Sequence, residues 1–89
     1  MTAQEITNTK AQLKEMIYSN ELSNCVLACE MIKWLEWSSV DKLDFIKPIL
    51  KGYQGLCSAM MDAKAFNQMD KIELMIKKVG TMNELIQYL

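Results

Sequence analysis

The side chains with the greatest chemical reach in this sequence are Cys25, Cys29 and Cys57. The four-residue spacing of the first two puts both thiols on one face of a helix. With Cys57 as a third ligand, such a pair suits a soft metal. All three, however, fall in register with apolar positions, where reduced cysteine behaves as a small hydrophobe. No histidine or fourth cysteine completes a zinc set. The three are therefore read as core residues, and neither metal nor cofactor is expected. An odd count without a secretory leader also argues against a disulfide framework.

Trp34 and Trp37 stand three apart beside Lys33 and Glu36. They suit either an aromatic platform for a partner or the end of a core. Trp34 reads as core, and Trp37, between Glu36 and Ser38, as partly exposed. With Tyr53, and with Lys33 or Lys51 for an anionic group, they define one candidate ligand pocket. The eight methionines include Met16, Met31, Met60, Met75 and Met82 at helical core spacing, which favours gap-filling over copper binding. The acidic pairs, such as Asp41 with Asp44, sit beside lysines on faces that read as solvated. No E-x-x-H pair, no phosphate-cradling glycine loop and no histidine supply an active-site constellation, so no catalytic residue is assigned.

Charge narrows the partner classes. Ten basic and eleven acidic side chains give a net charge of −1, and every basic residue is lysine. Without the arginine fork and without a basic patch, nucleic-acid recognition is not expected. The polar amino terminus has no signal-like apolar stretch, and no run reaches the roughly 18 apolar residues of a membrane span. A cytoplasmic protein with reduced thiols is the expectation. Abundant lysine without arginine also fits a phage or low-GC bacterial origin.

These residues must be carried by helices. Apolar positions recur at three- and four-residue steps, with three glycines and one proline as punctuation. Four segments follow, over about 3–18, 21–37, 40–66 and 69–89. Thr2 with Glu5, and Ser38 with Asp41, are capping signatures. The second segment is apolar on most of its circumference, through Leu22, Cys25, Val26, Cys29, Ile32 and Leu35, widened by Leu27, Met31 and Trp34. In the third, Pro48 predicts a kink or restart near Lys47. Val40, Leu56 and Phe66 read as part of its apolar stripe. Gly55, Ala59 and Ala63 form a small-residue strip that would let another helix approach closely. In the fourth, Ile72, Met75, Val79, Met82, Ile86 and Leu89 step alternately by three and four, a heptad seam. Gly80-Thr81-x-x-Glu84 resembles a stop and fresh cap, but the seam favours one continuous helix.

The expected fold is all-α, a small antiparallel bundle of three to four helices in a single domain, completed by oligomerisation. At 89 residues and 51% hydrophobic content, the chain carries more apolar surface than so small an interior hides. A non-enzymatic protein–protein interaction module follows as the functional reading. It would self-associate through the helix-four seam, or act as adaptor or small inhibitor of a larger protein. A small-ligand binder or sponge is the alternative.

Overall fold

A computed structural model describes all 89 residues. It contains four α-helices and no strand: α1 (Ala3–Tyr18), α2 (Leu22–Trp34), α3 (Ser39–Asp62) and α4 (Met69–Tyr88), with a 3-10 turn at Phe66–Gln68 before α4. The two sequence-encoded caps are made. Thr2 Oγ1 accepts from the Glu5 N–H at 3.2 Å, and Ser38 Oγ from the Asp41 N–H at 3.1 Å. Each satisfies one of the donors that a helix start leaves free.

The helices run alternately up and down. Tyr53 of α3 reaches the last turn of α1, and Lys33 near the end of α2 reaches Tyr88 at the end of α4. α1 packs on α2, α2 on α4, and α4 on α3. The core is a single cluster of 16 buried apolar residues drawn from all four helices, among them Leu13, Ile17, Cys25, Ile32, Ile46, Met82 and Leu85. A body of 45 × 21 × 19 Å results, longer than either of its first two helices.

Several expectations change here. α2 ends at Trp34 rather than Trp37, because Leu35 turns extended and the Lys42 ammonium reaches back to the Lys33 carbonyl at 2.8 Å. A cation at the last carbonyls stabilises that end of the helix. Trp34 consequently faces outward and is 73% exposed, whereas the two-residue earlier Ile32 is wholly buried. About 200° of helical rotation separates them.

α3 passes through Pro48 as one helix, with no restart at Lys47. Asp44 and Pro48 are both exposed, so water can satisfy the Asp44 carbonyl that proline leaves without a donor. The helix stops at Asp62, short of the expected Phe66, in a Schellman closure: Ala65 N–H donates to the Met60 carbonyl and Lys64 N–H to that of Met61, both at 3.0 Å. Val40, Leu56 and Phe66, read as apolar-stripe residues, are exposed.

α4 is continuous through Gly80. Its seam lies inside this chain: Ile72, Met75 and Met82 are buried, and Val79, Ile86 and Leu89 pack against the core. The seam expected to join two subunits is therefore occupied by α2 and α3. The strip of Gly55, Ala59 and Ala63 is exposed, and a Cβ added at Gly55 would meet nothing within 4 Å. No helix of this chain uses the close approach it offers. No helix is long and apolar enough to cross a membrane.

Two stability predictions follow from these details. Lys64 occupies the left-handed region at φ 53°, where a side chain is strained and glycine is not. Lys64→Gly should stabilise the fold by about 0.5–1 kcal/mol. Gly55→Ala, in open space inside a helix, should add about as much. Thermal melts that rise by several degrees for each variant would agree, whereas a fall for Gly55→Ala would mean that the strip is already packed.

Candidate functional site

The most developed polar structure in the molecule is built on a buried lysine. Lys78 follows Met75 by three residues and precedes Met82 by four, so it projects from α4 on the core side. It is 3% exposed. Its ammonium donates to the carbonyl of Ser19, the C-cap of α1, and to the Tyr53 hydroxyl at 3.1 Å. That hydroxyl in turn donates to the Ile17 carbonyl at 3.2 Å. Lys78 also lies 5.1 Å from the centre of the Tyr53 ring, and Tyr18 stacks on Tyr53 at 5.6 Å. The negative end of α1 thus receives a cation from α4 and a phenol from α3.

The surroundings tune these groups. Burial pushes the Lys78 ammonium below its ordinary value, opposed by the nearby Cys25 sulfur. Burial, with the Tyr18 and Cys25 charges adding, raises the Tyr53 phenol to about 12. Cys25 is lowered by the Cys29 thiol donating to it, against burial and with help from Lys78. Cys29 is raised by that same hydrogen bond and by burial.

Beside this junction the surface opens into a cleft of about 400 Å³. Its apolar walls include Tyr18, Tyr53, Leu56, Met60, Leu74 and Met75, and Asn20, Gln68, Lys71 and Lys78 supply the polar edge. The cleft exists because the α1–α2 hairpin is shorter than the α3–α4 hairpin that it covers. Thirteen residues of α2 span about 20 Å, while the 24 of α3 span about 36 Å. Beyond the Ser19–Glu21 turn, the continuation of α3 and α4 has no cover. Leu56, Met61, Phe66, Met69 and Ile76 are between 42 and 67% exposed along this arm.

The residues grouped by sequence do not meet. Tyr53 contacts the end of α1, whereas the Trp37 indole N–H points to the Met1 sulfur at its start. The 16 residues of α1, about 24 Å, separate the two. Trp37 packs edge-on against Phe45 and under Lys10. Lys33 pairs with Glu30 at 3.2 Å and covers the Tyr88 ring, and Lys51 is exposed on α3. A shared pocket of Trp34, Trp37, Lys33 and Tyr53 is therefore corrected to a cleft in which Tyr53 alone of that set takes part. No group of three or more histidine, cysteine, aspartate or glutamate side chains converges on a metal-sized site. Cys57 borders a separate shallow depression with Gln54, Ser58, Ile76 and Val79.

Lys78, Tyr18, Lys71 and Leu74 carry the site and were not singled out by sequence. The available signal was a lysine in core register: Lys78 among Met75 and Met82, as Lys42 is with Ile46, Ile49 and Tyr53. No family model, curated protein or solved structure matches this chain.

The raised Tyr53 pKa makes the junction sensitive to alkali. An unfolded tyrosine loses its proton near 10 and the folded one near 12, so the folded state binds the extra proton between them. Stability from this group is complete below pH 10 and is lost as pH rises toward 12. Lys78 has the opposite sign: its lowered value makes stability increase up to the ordinary 10.5 and level off beyond. Melting temperature should therefore fall between pH 10 and 12, and Tyr53→Phe should flatten that fall. The same substitution should cost about 1 kcal/mol at neutral pH through the lost hydrogen bonds. An unaltered alkaline limb in the variant would remove Tyr53 from the junction.

Proposed function

We propose that this chain is a non-enzymatic protein-binding module whose docking face is the uncovered end of the α3–α4 hairpin. The observation that carries the reading is the continuity of that face with the core. The surface that α1 and α2 cover lower down extends past their turn as exposed Leu56 and half-buried Met60 and Leu74, with Tyr18 at the covering edge. Contiguous apolar surface of this kind marks interaction sites, whereas scattered single residues do not. On the outer side of α2, Val26, Leu27 and Trp34 are interrupted by Ser23, Glu30 and Lys33. The hollow between α2 and α4 is about 120 Å³ and is lined by three charged side chains.

The role proposed is that of an adaptor or an occluding inhibitor acting in the cytoplasm. Self-association loses its first support, because the α4 seam is internal, and any homo-oligomer would have to use the arm instead. The cleft volume also supports a second reading, binding of a small amphipathic molecule, since about 300–1,000 Å³ is usual for such sites. Its open form favours a protein surface over an enclosing pocket.

Photo-crosslinking separates these cases. A photoreactive residue replacing Leu56 should give discrete protein adducts in cells. One replacing Val40, equally apolar and 65% exposed but about 24 Å away along α3, should not. Adducts equal at both positions, or absent from both, would overturn the docking face. Adducts of twice the chain mass would identify a second copy as the partner.

A further inference from the structure

We infer that the partner element is a short acidic amphipathic helix, seated along the cleft in line with the α1–α2 hairpin and engaging Lys71 with a carboxylate. This rests on the docking reading above and adds the chemistry of the occupant.

Shape gives the first argument. Beyond Tyr53, which the end of α1 covers, α3 continues from Gln54 to Asp62, about 14 Å or two and a half helical turns. Lower down, the same face of the hairpin is covered by helices, so a further helix continues the packing with the same geometry. Gly52, Ala59 and Ala63 occupy the same flank of α3 as Leu56, by the 100° step of the helix. All three are exposed, and a Cβ added at Gly52 would meet nothing within 4 Å. A helix can settle close to α3 there, with apolar side chains reaching over Leu56 and Met60 toward Leu74.

Charge gives the second argument and fixes the sign. The ten residues lining the cleft include two lysines and no carboxylate, in a chain with more acidic than basic side chains. Lys78 is engaged by Ser19 and Tyr53. Lys71 is exposed and makes no hydrogen bond or ion pair within the chain; the one salt bridge present joins Lys33 to Glu30. Lys71 is therefore the cation available at the rim, and a carboxylate is its complement. A second copy docking cleft to cleft would set lysine against lysine across two linings that contain no carboxylate. An acidic partner avoids that repulsion.

The test uses the full chain against an array of synthetic amphipathic peptides of roughly four turns, all with one leucine ridge. The flanking residues vary stepwise from all glutamate to all lysine. Binding should strengthen toward the glutamate end by at least about tenfold and weaken with added salt. Lys71→Glu, at an exposed position that leaves the fold intact, should invert the preference. Trp34→Ala, exposed but outside the cleft, should leave it unchanged. A flat response, a preference for lysine peptides, no binding, or a preference that survives Lys71→Glu would each overturn the acidic helix. Binding to vesicles of anionic lipid without binding to any peptide would overturn it as well. The two proposals fail separately: crosslinks at position 56 with a charge-blind array sink only the acidic helix, while loss of those crosslinks sinks the docking face too.

Discussion

The arrangement of the four helices depends on a buried ammonium group held by a helix end. Lys78 has no carboxylate partner. It is stabilised by the Ser19 carbonyl and the Tyr53 hydroxyl, with the α1 dipole behind them. Taking an unpaired cation out of water costs several kcal/mol, so any packing that pulls these groups apart is heavily disfavoured. The junction joins α1, α3 and α4 at one point. Sliding the α1–α2 hairpin by a turn would draw the Ser19 and Ile17 carbonyls away from Lys78 and Tyr53, so these bonds favour one register. Lys42 does the corresponding work at the other end, where it is 7% exposed and closes α2. In a chain without arginine, flexible lysine stems carry charge to two helix ends that consecutive residues do not cap. No buried side-chain nitrogen or oxygen is left without a partner.

This device also explains why the molecule ends in an open arm. With the α1–α2 turn pinned at Lys78, the shorter hairpin cannot move along α3 and α4 to cover their far ends. Only 18 residues are buried, 16 of them apolar, although about half the sequence is hydrophobic. The surplus is not spread evenly. Along the arm Leu56, Met60 and Leu74 line the cleft beside the core, while Ile76 borders the separate depression with Val79, and on α2 the surplus is broken up by polar residues. A pinned, pre-formed cleft edge is consistent with the docking face proposed above, because a surface already ordered loses little conformational freedom on binding.

Much of the fold was legible because helical periodicity and local capping act within a few residues. Thr2 with Glu5 and Ser38 with Asp41 mark their helix starts directly, and the stripe through Gly80 kept α4 whole. The misplaced boundaries are those set from a distance or by an unusual residue. The pattern Leu35-Glu36-Trp37 continues a helix on paper, and only Lys42, arriving from the next helix, closes α2 earlier. Ala63-Lys64-Ala65 carries no glycine or asparagine stop signal, yet Lys64 takes the left-handed position. The heptad seam was visible, but its destination was not. Periodicity states that a face will be buried and is silent on whether its own chain or another buries it.

The site was harder to read for a related reason. Aromatic residues and lysines near one another in sequence drew the candidate pocket toward Trp34 and Trp37, but helical rotation and the early end of α2 send these two in different directions. Lysines in core register are the more informative signal. A charged side chain among Met75, Val79 and Met82 contradicts the apolar pattern around it, and such a contradiction persists only where a definite partner resolves it. For Lys78 that partner is the end of α1, which places the turn of the first hairpin and hence the edge of the cleft. The charge that is costly to bury and the surface that is left open are consequences of one constraint. A residue that breaks the pattern therefore points to the cleft more directly than aromatic residues that conform to it.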